Sequence, residues 1–287
     1  MKDTGVPKNY HSVSDVYTKL VNFIYCFIKG PRLGLASIRS EFWSMENVFH
    51  RRRIQEYDNY LYSLERAVII ALDSDPSRTS SILAETEKVV KHIMDRMSKY
   101  DQIPIPASYD ADICLAKLCY TLCRLLSPTT IVETGVARGI TTAFILHALE
   151  KNNRGHLYSI DIPSLHMSHL YIGIAVPQRL KYQWTLILDD SLHFIPKIRK
   201  KIDIFLHDSD HSYRHQLIEY RLAWKNLRPG GILISDDVHN SDAFIEFAET
   251  VKVQPIIIKQ QEKMQQHLES KNGRIGLLVK PYRIKSV

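Results

Sequence analysis

Five short apolar runs in this 287-residue chain are each followed by an acid. Residues 129–132 lead into Glu133, 156–160 into Asp161, and 184–188 into Asp189-Asp190-Ser191. Residues 202–206 lead into His207-Asp208, and 232–235 into Asp236-Asp237. If the runs are parallel strands, these acids gather on the carboxyl edge of one sheet, where open sheets bind ligands. Carboxylates crowded there repel one another unless a cation or a cationic ligand joins them. The pattern therefore asks for a positively charged ligand, a divalent metal, or both.

The first acid opens the pattern Glu133-x-Gly135-x-x-x-Gly139, which enters a helical pattern at Thr141. The glycines let backbone N–H groups approach a ligand closely. A dinucleotide fingerprint would read G-x-G-x-x-G, but Glu133 stands at the place of its first glycine. A carboxylate there repels a pyrophosphate and attracts an amine. That suits the methionine amine of S-adenosylmethionine (SAM) better than NAD. Asp161 follows Gly139 by twenty-two residues, about the separation at which an acid reaches ribose hydroxyls. A ligand-free glycine turn is the bland alternative, and the series of acids argues against it.

His207, His211 and His215 are spaced by four. His211-x-x-x-His215 could pass for a zinc pair, but no Glu follows His211 and His207 should belong to a strand, so zinc is set aside. His211, if its pKa stays near about 6.5, can accept a proton from a hydroxyl. A structural or substrate-contacting role for it stays open, and Asp210 either orients the base or is one.

The elements that must position these residues differ along the chain. Up to about residue 105 the texture is helical, with stretches over 54–72 and 80–100 and no convincing strand. The segment 73–77 (Asp-Ser-Asp-Pro-Ser) reads as a turn or cap, and the two prolines of 102–107 exclude helix there. After a helix at 112–126, strand signals at 130–134, 156–160, 184–188, 202–206 and 232–235 alternate with helices, which implies a parallel sheet. Runs at 254–258 and 275–279, around the polar loop 259–273, suit an antiparallel hairpin at the sheet edge. The expected fold is α/β: a Rossmann-like, seven-stranded, mostly parallel sheet with an antiparallel edge hairpin and an N-terminal helical cap. Residues 1–105 are expected as a cap or dimerisation region and 106–287 as the ligand-binding domain. The stretch 162–183, with Met167, Tyr171, Ile172 and Val176, could form a lid.

Composition excludes several classes. Apolar content of 45% with 24% charge is that of a soluble globular protein. The most membrane-like run, 21–28, is too short to span a bilayer and lacks the marks of a signal peptide. Cys26, Cys114, Cys119 and Cys123 lack metal spacing and read as reduced thiols, which points to the cytoplasm. The net charge of +7 is concentrated after Val251, where eight Lys/Arg face two Glu. No aromatic-basic ladder accompanies it, so a solvated basic face is favoured over nucleic acid.

Four stretches carry a family resemblance: Glu133–Gly139, Val176–Trp184, His207–Tyr213 and Leu227–Val238. Through them residues 112–280 resemble class I SAM-dependent methyltransferases that methylate small molecules at oxygen. Those are the bacterial macrocin-type tailoring enzymes of natural-product biosynthesis, similar in site arrangement to catechol and caffeoyl-CoA O-methyltransferases. The resemblance implies that Glu133 reaches the methionine amine, that the backbone from Gly135 to Gly139 lines it, and that Asp161 takes the ribose. Asp190 and Ser191 fall where the relatives' loop meets the adenine. Asp208, Asp236 and Asp237 correspond to a ligand set for Mg²⁺ or another divalent cation. His211 stands where metal-using relatives carry a lysine base. The implied partner is a small hydroxylated acceptor. Rival readings are a metal-independent O- or N-methyltransferase and a non-catalytic SAM-binding subunit.

Overall fold

The structure is a computed structural model and describes residues 21, 24–51, 53–100, 113–162, 169–259 and 273–282. The connector 102–107, Met167 and nearly all of the loop 259–273 lie outside the described residues.

All seven expected strands form: β2 (Thr130–Thr134), β3 (His156–Asp161), β4 (Trp184–Leu188), β5 (Ile202–His207), β6 (Leu227–Ser235), β7 (Ile256–Lys259) and β8 (Arg274–Val279). An eighth, β1 (Leu61–Tyr62), joins them in a single sheet ordered β1-β7-β8-β6-β5-β2-β3-β4. Only β8 runs antiparallel, between β6 and β7. The closing pair is therefore antiparallel as expected, but β1 rather than the hairpin forms that edge, paired in parallel with β7.

β-Branched and apolar residues alternate across the sheet and divide the core by face. Ile131, Leu157, Ile204 and Ile232 pack on one side with helices α4 (Ile113–Leu126) and α5 (Ile140–Asn152). Val132, Ile160, Phe205 and Leu233 pack on the other with α7 (Tyr213–Asn226) and α8 (Ala243–Val251). Every residue of β2 and β5 is buried, as two-face coverage of a parallel sheet requires. From β2 the chain builds outward through β3 and β4, then returns to β5 on the other side of β2. That reversal makes the carboxyl ends of β2 and β5 the switch point.

The N-terminal half is more broken than expected. The helix anticipated over 54–72 is a 3₁₀ segment, Ile54–Tyr60, then β1, then α2 (Leu64–Leu72). Ser63 ends the run: its hydroxyl accepts from the Arg66 N–H as an N-cap. Asp75 caps α3 (Pro76–Met97), with Pro76 in its first turn, so the expected 73–77 turn is present. Ala67 and Val68 of α2 and Ile82, Val89 and Ile93 of α3 share the core of α4 and α5. β6 begins at Leu227 rather than 232, because Leu227 already pairs with Ile202 before the irregular Gly230-Gly231 stretch. Ahead of all these, α1 (Pro31–Ser44) and a 3₁₀ segment, Met45–His50, lie against the carboxyl edge of the sheet. No helix among the described residues is long and apolar enough to cross a membrane.

Candidate active site

The turn between β2 and α5 is fixed from two sides. Gly135 adopts φ +80, and a Cβ there would stand 1.8 Å from the carbonyl oxygen of Asp208. Gly139, also at φ +80, is the N-cap of α5 and faces Gly173, whose Cα would be 2.7 Å from an added Cβ. Only glycine fits either place. Ala137 is held at φ 46, an uncommon region for a residue with a side chain. Its carbonyl accepts from the Gly173 N–H at 2.9 Å, and that of Arg138 from the Ala175 N–H at 2.8 Å. Val176 and Leu180 belong to the core, so of the expected lid the part from Gly173 onward is packed scaffold.

Glu133 is buried on β2, and one of its oxygens accepts from Thr142 Oγ1 at 2.8 Å and Ser159 Oγ at 2.6 Å. Ser159 in turn accepts from Trp184 Nε1 at 2.9 Å. Burial pushes the Glu133 carboxyl up to about 7, against the pull of the two hydroxyls. Asp161, at the end of β3, accepts from the N–H groups of Val136, Ala137 and Ile162 at 3.0, 3.0 and 2.7 Å. Burial raises it to about 6 in spite of those bonds. Two carboxyls raised towards neutrality thus stand on adjacent strands.

At the end of β4, Asp190 caps the short helix α6 (Ser191–Phe194) through the Leu192 N–H. It also receives both arms of the Arg39 guanidinium, at 2.9 and 3.0 Å. Ser191 Oγ lies 3.2 Å from His215 Nε2. Asp189 is turned away to His193 at 2.8 Å.

At the ends of β5 and β6, Asp208, His211 and Asp236 each offer a ligand atom within 4.8 Å of the others. His211 Nε2 is 3.8 Å from Asp208 Oδ1. Asp237 is not one of this group. It sits at φ 48, accepts from Asn240 Nδ2 at 3.3 Å and approaches His239 Nδ1 to 3.7 Å. Its charge is still felt. Burial, then the carboxylates of Asp237 and Glu133, raise Asp208 well above the usual carboxylate range. Burial holds His211 down to about 4, partly offset by Asp237, so its imidazole is neutral at neutral pH. Asp210 turns to the Ser212 N–H at 2.9 Å. The carboxylate oxygens of Asp208 and Asp236 suit a divalent cation, whose charge would offset the carboxylate repulsion that adds to burial in lifting Asp208.

Sequence reasoning missed a buried network beneath this group. Glu219 of α7, fully buried, meets His207 Nδ1 at 2.7 Å and His215 Nε2 at 2.8 Å. It also accepts from Thr134 Oγ1 at 2.8 Å and Ser209 Oγ at 3.1 Å. The two histidines hold Glu219 well below the usual carboxylate range. His215, despite the penalty of burial, is raised by the Glu219 charge. The spacing His215-x-x-x-Glu219 on one helix was the available signal. The contacts of Arg39 with Asp190, and of Asn47 with the His211 carbonyl and Tyr213 N–H, were also unforeseen.

Residues 132–238 match the family model described as a methyltransferase domain. The fold of the described residues is shared with solved structures of low sequence identity. An O-methyltransferase from Bacillus cereus, solved with S-adenosylhomocysteine (SAH), is 17% identical, with TM-score 0.51, covering 66% of this chain and 91% of that one. The cofactor-bound protein Rv0187 from MTB is 12% identical, with TM-score 0.54, covering 67% of this chain and 91% of that one. No curated protein matches the chain.

Proposed function

We propose that this protein transfers the methyl group of SAM to a hydroxyl of a small molecule, with the help of a divalent cation. The observation that carries the reading is the convergence of Asp208, His211 and Asp236 at the switch point, beside the glycine turn. SAM supplies a methyl group already activated by its sulfonium. A divalent cation such as Mg²⁺ would be held by Asp208 and Asp236, with His211 and Asp237 beside them, and would supply acidification of the acceptor hydroxyl.

The chain's own groups do the rest. Glu133 binds the amine of the methionine end, with Thr142 and Ser159 fixing its carboxylate. Asp161 holds the ribose hydroxyls while bracing the turn, and Asp190 with Ser191 borders the adenine. His211, neutral and with Nε2 directed towards Asp208, accepts the acceptor's proton at that nitrogen. Within residues 1–105, α1 and the segment Met45–His50 supply a cap over the carboxyl edge, and the four buried cysteines, none in a disulfide, suit a cytoplasmic setting.

One observation favours a second reading. His211 offers a ring nitrogen within 4.8 Å of both carboxylates, so it could work as a base with no cation present. Transfer of labelled methyl from SAM to a panel of phenolic and sugar hydroxyls, with and without EDTA, separates the two. The cation-assisted reading expects turnover that EDTA removes and Mg²⁺ or Mn²⁺ restores. Full turnover in excess EDTA leaves the metal-free reading. SAH binding without turnover on any acceptor leaves a binding subunit.

A further inference from the structure

Helix α1 is apolar on the side that faces away from the protein. Leu33 and Ala36 are buried, and Arg39 and Asn47 reach inward to Asp190 and to the His211 loop. On the opposite side Leu35, Ile38, Phe42 and Met45 follow one another at alternating steps of three and four, flanked by Ile28 and Phe49. These six are between 40% and 77% exposed. A helix apolar on its outer side as well as its inner one is normally buried on both. The alternation of three and four is the spacing by which one helix seats against another.

We infer that this stripe is the interface of a homodimer, with α1 of one copy packed along α1 of a second. Area supports that occupant. At roughly 200 Å² per fully exposed large side chain, the six present on the order of 800 Å² in each copy. That equals the roughly 800 Å² per partner of a stable protein interface. A single stripe that meets its own copy across a two-fold axis is complementary to itself, the commonest arrangement of soluble oligomers.

The charges near the stripe argue for protein rather than a lipid surface. Arg32 is bonded to His193, Arg39 to Asp190, and Arg53 to Glu56 and Glu249, while Lys29 lies over the Tyr25 ring. A helix that rests on anionic lipid carries free cations along its polar border. Here Lys29, Arg32, Arg39 and Arg53 are engaged, and of the described cations of this segment Arg51 is the exposed exception.

The test is sedimentation of the full chain over a range of micromolar concentrations, alone and with Leu35→Glu or Phe42→Glu. Ile70→Glu, on α2 and away from the stripe, is the control. The wild type and the control should sediment as dimers. Each stripe variant should raise the dissociation constant roughly thirtyfold or more. Their circular dichroism and urea midpoints should remain those of a folded chain. Independently of any variant, hydrogen exchange over 31–49 in the wild type should slow as concentration rises through the dimer range. A wild type that stays monomeric overturns the proposal, as does a dimer that survives both substitutions. A monomer that floats with phosphatidylglycerol vesicles, and ceases to do so as Phe42→Glu, also overturns it and assigns the stripe to a membrane surface.

Discussion

The guanidinium of Arg39 forks onto both carboxylate oxygens of Asp190, at 2.9 and 3.0 Å, and so ties α1 to the carboxyl end of β4. The two residues are 151 positions apart, and Asp190 is almost wholly buried. Arg39→Ala leaves that carboxylate without its counter-charge. The expected loss is about 2 kcal/mol of stability, below the range for a fully buried pair because Arg39 is partly exposed. Urea unfolding measures it, and an unchanged midpoint would show that the fork is ornamental.

The pH dependence of the empty protein should carry the mark of Glu133. Its folded pKa of about 7 lies above the value of about 4.3 for an unfolded chain. The protonated form is thus favoured by folding, and its contribution is complete below the lower value and lost as pH rises through the upper one. Asp161, raised to about 6, acts in the same direction. Thermal unfolding across this window should show stability falling with pH, and Glu133→Gln should flatten the slope. A cationic amine reverses the preference, so SAM or SAH binding below about pH 7 should release a proton. Calorimetry in buffers of different ionisation enthalpy reads that proton directly. Binding enthalpies independent of the buffer would separate Glu133 from the amine.

Asp161→Ala should weaken SAH binding by roughly one to two kcal/mol, the order of a lost charge-assisted hydrogen bond. It should also destabilise the empty protein, because the N–H groups of Val136 and Ala137 lose their acceptor. A variant that loses stability but binds SAH as the wild type does would confine Asp161 to bracing the turn.

Mg²⁺ or Mn²⁺ should raise the unfolding temperature, since a ligand at about a hundred times its dissociation constant adds about 2.7 kcal/mol. Asp208→Asn and Asp236→Asn should abolish the rise and leave SAH binding intact. Asp237→Ala should abolish cation-dependent activity, although its carboxylate accepts from Asn240 Nδ2. Cation responses identical in all three variants would dismantle the metal reading.

His211→Ala should slow transfer on the order of a hundredfold if it is the base. The loss should shrink for an acceptor whose hydroxyl is already acidic. Equal losses across acceptors would make His211 a positioning residue.

What could be foreseen was what short-range pattern encodes. Apolar, β-branched runs at 130–134 or 202–206 announced strands, and the order of strands and helices announced the sheet, because buried parallel strands leave a dense apolar trace. β1 left none, since a two-residue strand between Tyr60 and Ser63 has no period to detect. The acid series foretold acids at the carboxyl ends of the strands, but sequence could not say which carboxylates face one another. Asp208 and Asp236 converge with His211, while Asp237 turns aside on a left-handed backbone. Arg39 was invisible as a site neighbour because no local rule links α1 to β4. Glu219 was hidden by the histidines around it, whose spacing invited a metal reading instead.

The brevity of β1 has a further consequence. Leu61 and Tyr62 cover Ile257 and Ile258 of β7, whose Ile256-Ile257-Ile258 run would otherwise offer open backbone donors and acceptors. Two residues suffice to blunt that margin, and they leave too short a ladder for a foreign strand to extend. A chain lacking its first sixty-two residues would lose this guard, even with every acid of the site in place. Such a fragment should be the one that clumps on storage, by strands adding edge to edge.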